Sequence, residues 1–318
     1  MKADIINGAA LISTLGLAML GATRVDVLLT TSTQVENQRS TEAVQTPTEI
    51  IDARGLMVPI EDYQRVASLN TVADHLLLQL ISPNRLVGVT RYNHDEHPES
   101  WRFENHQALP SSQDIENVLS VSPDLVISSI FASESNMSRL REAGIQVFDL
   151  GDMRGIETTL TSIENLGILL NVPEQAERLA QNFMRQVEAL RARVPVEERV
   201  PGLYLTVMGD AWFGGTTGSS FADVLELAGV IDIAAEHGFQ DWPQYNAEEL
   251  LTMAPNLIVT NEDSAEIICS NSMLGMLPAC GPTGRIIEVP NAYQSDPGLG
   301  LIEAAASTQA LIHPSRQP

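Results

Sequence analysis

The stretch ENVLSVSPDLVISS, residues 116–129, returns as EELLTMAPNLIVTN at residues 248–261. Glu116 aligns with Glu248, Leu119 with Leu251, Pro123 with Pro255, Leu125 with Leu257 and Ile127 with Val259. In each copy a helically spaced run ends at a proline and gives way to a short apolar run, the pattern of a helix followed by a buried strand. A unit used twice in this way predicts two related α/β lobes.

The same grammar extends outward from both copies. Ahead of the first stand RVASL (65–69) as a strand, NTVADHLLLQLI as a helix and RLVGVT (85–90) as a strand. The first copy itself opens with a helix started at Ser112, runs into the strand PDLVISS (123–129), and is followed by the helix SNMSRLREAG and the strand IQVFDL (145–150). Short apolar strands separated by helices form mainly parallel sheets covered on both faces. Around the second copy, LYLTVM (203–208), PNLIVTN (255–261) and GRIIEVP (284–290) read as strands, with SSFADVLELAG, AEELLTMA and GLIEAAASTQALI as helices. From Gly155 to Val194 only helical spacing occurs, in two runs separated near Asn171 and Pro173. The expected organisation is therefore an N-terminal lobe over 48–154, a helical linker over 155–194 and a C-terminal lobe over 195–318.

The first 22 residues carry one lysine, an apolar run from Ala9 and a small-residue end at Gly21-Ala22, which reads as an export signal, with a polar lead-in over 23–47. The apolar run is too short to span a bilayer comfortably, and no cysteine follows it for a lipid anchor. The expected product is a free monomeric protein of the periplasm. A formal charge of −23, from 41 acidic against 18 basic residues, argues against sequence-independent nucleic-acid binding and against anionic membrane surfaces. Cys269 and Cys280 suit a disulfide in an oxidising compartment; a zinc site is weaker, because no histidine lies nearby.

In parallel α/β sheets ligands bind beyond the carboxyl ends of the strands, so the residues just after each strand are the candidates. Those residues are Arg91 and Tyr92, Phe131, Trp212 and Phe213, and Tyr293, and they include five of only fifteen aromatic residues. The loop QDWPQYNAEELL, residues 240–251, adds Trp242 and Tyr245 ahead of an acidic helix start. Arg91 offers paired donors to an anionic group, and Trp212, Trp242 and Tyr293 suit the flat face of a macrocycle. An alternative is a divalent-metal site using His94, His97 and His106 with Glu262 or Asp263. His75, on an apolar helix face, reads as structural. No G-x-S-x-G elbow, P-loop lysine or G-x-G-x-x-G fingerprint occurs, and FGGTTGSS reads as a loop with Ser219 or Ser220 as a helix cap. No catalytic residue or resident cofactor is assigned; an α/β enzyme with a cofactor cleft remains a further alternative.

These motifs, in this order, resemble the periplasmic substrate-binding proteins of ABC importers for iron–siderophore complexes, haem and vitamin B12. The resemblance runs from about Thr48 to Pro314 through TEIIDARGLMVPI, RVASL, RLVGVT, DIENVLSVSPDLVISS, FADVLELAGVIDIA, NAEELLTMAPNLIVT and GRIIEVP. It implies two lobes joined by one long helix, with an iron or cobalt chelate as ligand in the cleft between them. It also implies that Trp242, within a WPQ element similar to one in the B12-binding members, contacts the ligand. Glu116 and Glu248 match the surface glutamates with which those members dock on the transmembrane permease.

Overall fold

A computed structural model describes residues 48–110, 114–290 and 297–316. The export signal, the lead-in, Ser112 and Tyr293 lie outside the described residues. The chain first forms a hairpin of β1 (Glu49–Ile51) and β2 (Met57–Pro59). A five-stranded parallel sheet follows, in the order β5-β4-β3-β6-β7, from β3 (Val66–Ser68), β4 (Leu86–Thr90), β5 (Gln107–Leu109), β6 (Leu125–Ser128) and β7 (Gln146–Asp149).

The alternation of strand side chains sorts this sheet into two faces. Val66, Leu125, Ile127 and Phe148 pack against α1 (Thr71–Leu80) and the connector helices. Ala67, Val126 and Val147 pack beneath α2 (Ile115–Ser120) and α3 (Glu134–Glu142). Because both faces are covered, the strands read as continuous apolar runs. Asp114, whose side chain accepts the Asn117 N–H, caps α2, so the helix begins two residues later than its expected start at Ser112.

The connector consists of α4 (Ile156–Leu169) and α5 (Pro173–Arg193), turned back on each other at Asn171, which is left-handed at φ 55°. Both helices are shared between the lobes. Ile163, Leu166 and Leu169 of α4 and Ala176 of α5 lie in the first core, whereas Ile156 and Leu160 pack on the second. Phe183, Val187 and Leu190 of α5 lie in the second core. Gly155, at φ 120° and ψ −148°, opens α4 in a conformation that essentially only glycine adopts, and a Cβ there would lie 2.1 Å from Asp223 Oδ2. The same carboxylate accepts the Ile156 N–H at 2.7 Å and so ties the connector to the second lobe.

The second lobe has a mixed sheet, β11-β9-β8-β12-β13, with β10 (Val230–Asp232) also beside β8. Strands β8 (Val200–Met208), β12 (Leu257–Asn261) and β13 (Arg285–Val289) are parallel. Strand β9 (Ala211–Gly214) folds back antiparallel on β8, and β11 (Gln244–Tyr245) joins it antiparallel. Helix α6 (Ser220–Leu227) and α10 (Leu301–Ile312) cover one face; α7 (Ile233–Glu236), α8 (Ala247–Met253) and α9 (Ala265–Ser270) cover the other. Cys269 and Cys280 are bonded, with Cα atoms 5.5 Å apart.

The sequence repeat is also a backbone repeat. Ser122 and Ala254, equivalent in the two copies, are both left-handed, at φ 46° and 45°. The carbonyls of Asp124 and Asn256, two residues on, accept the first amides of β7 and β13, from Gln146 and Arg285 respectively.

Candidate functional site

A cleft of about 400 Å³ is lined from both lobes, within the one compact unit that contains the described residues. The first lobe supplies Leu69–Val72 after β3, Thr90 at the end of β4, Ser129 and Phe131 after β6, and Gly151–Met153 after β7. All of these stand at carboxyl ends of parallel strands, where the loops of such a sheet meet a ligand. The second lobe supplies Ser220 and Phe221 at the start of α6, Trp242 and Pro297.

The second-lobe wall is aromatic. Tyr204 of β8 stacks on Phe221 with ring centroids 3.7 Å apart, and Trp242 stands edge-on to both, at 6.1 and 5.7 Å. Gly215 makes this packing possible: a Cβ there would lie between 3.0 and 3.2 Å from Phe221, Trp242 and Tyr204. Tyr204 is buried and donates its hydroxyl to Asn261 Oδ1, and burial pushes its phenol pKa up. The Trp242 loop is pinned through its backbone, Gly214 N–H to Pro243 O at 2.8 Å, Thr216 N–H to Asp241 O at 3.0 Å and Asp241 N–H to Thr217 O at 2.8 Å. Arg154, beside the cleft residue Asp152, donates to Asp241 at 2.8 Å and to Asp152 at 2.6 Å, joining the two rims.

The first-lobe wall is polar at its base. Thr90 donates its hydroxyl to Asp74 Oδ2 at 2.5 Å and its backbone N–H to the same oxygen at 3.0 Å, and Asn93 Nδ2 adds a third bond at 3.0 Å. Burial raises the Asp74 pKa to about 7 despite these donors. The neighbouring His75 moves the other way, to about 4, through burial and the nearby Arg102 charge. With the Thr90 proton committed to Asp74, its hydroxyl oxygen acts as an acceptor, approached at 3.4 Å by the Asn93 N–H and with one lone pair remaining.

Of the sequence-derived candidates, Phe131 and Trp242 line this cleft. Trp212, Phe213 and Tyr245 do not. Gly209, at φ 61°, and Asp210 form a tight turn that sends Trp212 and Phe213 back along β8 as β9, where they are half-buried instead of standing on a strand-end loop. Tyr245 pairs across β11 with Trp212 and is 3% exposed, in the core cluster of Leu203, Leu250 and Ile258. Arg91 and Tyr92 lie outside the lining; Arg91 is exposed, 4.0 Å from Asp95, and Tyr92 begins a short π-helical turn over Tyr92–Glu96. Glu116 and Glu248 are exposed in the first turns of α2 and α8.

The histidines do not assemble a metal site. His97 is buried edge-on to His75 and Tyr92, His106 packs on Phe103, and His94 pairs with Asp95 at 2.5 Å. Among the described residues no three His, Cys, Asp or Glu side chains converge on a point that could hold an ion. Sequence reasoning missed Tyr204 and Phe221. Phe221 follows from the strand-end rule once β9 is recognised, because the chain then leaves the sheet at Gly215 and not at Gly209; Tyr204, in the middle of β8, is buried behind it and carries no such signal.

The family profile described as "Periplasmic binding protein" matches residues 66–315. The chain belongs to this family. It is a binding protein, therefore, and not an enzyme. Similar to this periplasmic binding protein are a "Cobalamin-binding protein" of Halobacterium salinarum, 24% identical over 258 residues that cover 79% of this chain and 69% of the relative. A "Vitamin B12-binding protein" of Yersinia pestis is 25% identical over 213 residues, 67% of this chain and 74% of the relative. Among solved structures, the heme-binding protein HmuT superposes with a TM-score of 0.67 at 20% identity, covering 84% of this chain and 90% of its own. The periplasmic heme-binding protein HutB of Vibrio cholerae gives 0.68 at 22% identity, covering 79% and 99%. At identities this low, the superpositions show a shared fold alone. No described helix of this periplasmic binding protein is long and apolar enough to cross a membrane.

Proposed function

We propose that this protein captures a metal chelate between its lobes and hands it to an ABC-type import permease, and that the chelate is a corrinoid. The observation that carries the corrinoid reading is the chemistry of the cleft. Its described lining is aromatic on one side and hydroxyl- and amide-bearing on the other; its one charged side chain is the acid Asp152, and no Arg or Lys is among the described lining residues. The segment 291–296, NAYQSD, contains neither cation, and Lys2 is the only lysine in the chain. A ligand with ionised carboxylates, such as haem, is held best by cationic donors, whereas a macrocycle rimmed by neutral amides is served by hydroxyl acceptors and flat aromatic faces. The names of the two relatives point the same way. Arg91, outside the lining, and Tyr293 remain proposed contacts for a ligand larger than the cleft floor, Arg91 as a donor to neutral amide carbonyls at its periphery.

For delivery, Glu116 and Glu248 are proposed to dock on permease arginines from equivalent first-turn positions in the two lobes. The periplasm is the proposed location, supported by the family and by the apolar run near the N-terminus.

Titration with cyanocobalamin, haemin and a ferric hydroxamate, read by tryptophan fluorescence, tests the ligand. Quenching by cyanocobalamin at the lowest concentration is expected. Binding of haemin with cyanocobalamin silent overturns the corrinoid assignment, and silence of all three overturns chelate capture. Glu116→Arg with Glu248→Arg is expected to abolish uptake in a complemented strain while the dissociation constant stays unchanged; normal uptake removes the docking role.

A further inference from the structure

The turn of the β1–β2 hairpin is not free. Ala53 donates its N–H to Asp149 O at 3.0 Å, and Asp52 Oδ2 accepts the Asp149 N–H at 3.4 Å, so the turn sits on the carboxyl end of β7 at the cleft edge. This places Arg54 against the loop that carries Phe131. Its Nε donates to the buried Asp149 at 2.5 Å and its Nη1 to Glu134 at 2.7 Å. Its Nη2 faces the carbonyls of Ala132, Ile130 and Ser129 at 2.9, 3.3 and 3.4 Å. One guanidinium thus holds the backbone on both sides of residue 131 while both carboxylates fix the guanidinium. Phe131 itself is 82% exposed. Little packing holds it, yet it lines the cleft.

An exposed aromatic on an unrestrained loop loses loop and rotamer freedom when it covers a ligand, and that loss weakens binding. We propose that Arg54 is a positioning residue, which holds the 129–132 loop so that Phe131 stands over the cleft before the ligand arrives. The inference rests on the reading that Phe131 meets the ligand. The planar fork matters as much as the charge: a lysine at 54 keeps a cation for Asp149 and Glu134 but, as a point donor, cannot serve the carbonyls at the same time. Arg54→Lys is therefore the informative change, and it avoids leaving Asp149 buried without a cation, which endangers folding in Arg54→Ala.

The clamp is tested with and without ligand. The chain's two cysteines are bonded to each other, so Phe131→Cys provides a single thiol for a nitroxide label. Arg54→Lys is expected to raise the label's mobility with the circular dichroism spectrum unchanged; unaltered mobility overturns the clamp. Cyanocobalamin affinity is then measured for Arg54→Lys alone and together with Phe131→Ala. Weakening of about three- to fivefold in the presence of Phe131, falling below about twofold in its absence, is expected for a residue that acts through Phe131. Equal weakening in both backgrounds, or no effect of Phe131→Ala itself, overturns the positioning role. If no chelate binds the unmodified protein, the functional reading fails, and the label alone still decides whether Arg54 fixes the loop.

Discussion

The two lobes share a repeated helix–strand unit but build opposite walls on it. The first lobe adds only parallel strands to its sheet and meets the cleft with strand-end hydroxyls, a buried Asp74–Thr90–Asn93 network and one exposed phenylalanine. The second inserts the antiparallel strands β9 and β11, and this insertion carries the loop that lays Trp242 against Tyr204 and Phe221. The repeat supplies the scaffold, and the departure from it supplies the aromatic surface. Function on such folds lies in what is grafted at the strand ends.

The largest test of the comparison removes what the lobes share. Phe183 is 1% exposed where α5 enters the second core, directly after its contacts with the first. Phe183→Ala is expected to cost about 3–5 kcal/mol in urea denaturation, since a large buried ring is replaced by a cavity. A loss below about 1 kcal/mol would mean that the connector is not held by this contact.

The next test separates the walls by pH. Asp74, with a folded pKa of about 7, binds a proton that its unfolded form has already released, so it contributes stability at low pH that is lost as pH rises from about 4 through 7. His75, with a folded pKa of about 4, behaves oppositely: its unfolded form holds the proton, and stability rises from about 4 to 6.5. The two slopes, each up to roughly 1.4 kcal/mol per pH unit, oppose one another between about pH 4 and 6.5. Asp74→Asn is expected to leave a stability that climbs with pH in that window, and His75→Phe one that falls; parallel pH profiles for the two variants would show that neither buried group behaves this way. Tyr204 on the opposite wall, its phenol pushed further up, adds no slope in that range.

The smallest test compares the two cleft aromatics. Trp242 is held by its neighbours and 49% exposed, whereas Phe131 stands 82% exposed. Trp242→Ala is expected to weaken cyanocobalamin binding by about 2 kcal/mol and Phe131→Ala by about 1 kcal/mol, because a packed anchor needs less ordering than an exposed one. The reverse ranking in calorimetry would make the first lobe the main ligand surface.

The parallel core of each lobe was legible in the sequence because its strands are covered on both faces and appear as short apolar runs ended by Pro, Gly or a capping residue. The β8–β9 hairpin was less so. Gly209-Asp210 is a turn signal, but the apolar residues on either side of it fit a strand and a following loop as well as they fit a hairpin. That turn moves Trp212 and Phe213 from cleft to sheet, and Tyr245, expected at the cleft from the composition of its own loop, goes with them because β11 pairs with β9. Phe131 and Trp242 were found because they follow the strand-end rule or break a surface loop's usual composition. Thr90, Asp74 and Arg54 were not, since a threonine, a helix aspartate and a turn arginine acquire their roles only from partners distant in sequence, such as Asp149, 95 residues from Arg54.

The double-helix connector has a consequence for timing. Two antiparallel helices rooted in both cores resist the bending by which lobes on flexible strands swing shut. The mouth of such a protein stays ajar, and capture is paced by arrival of the ligand and by small adjustments of single side chains. On the proposed delivery role, emptying the site then calls for force from outside the molecule, applied where something can pull the two lobes in different directions.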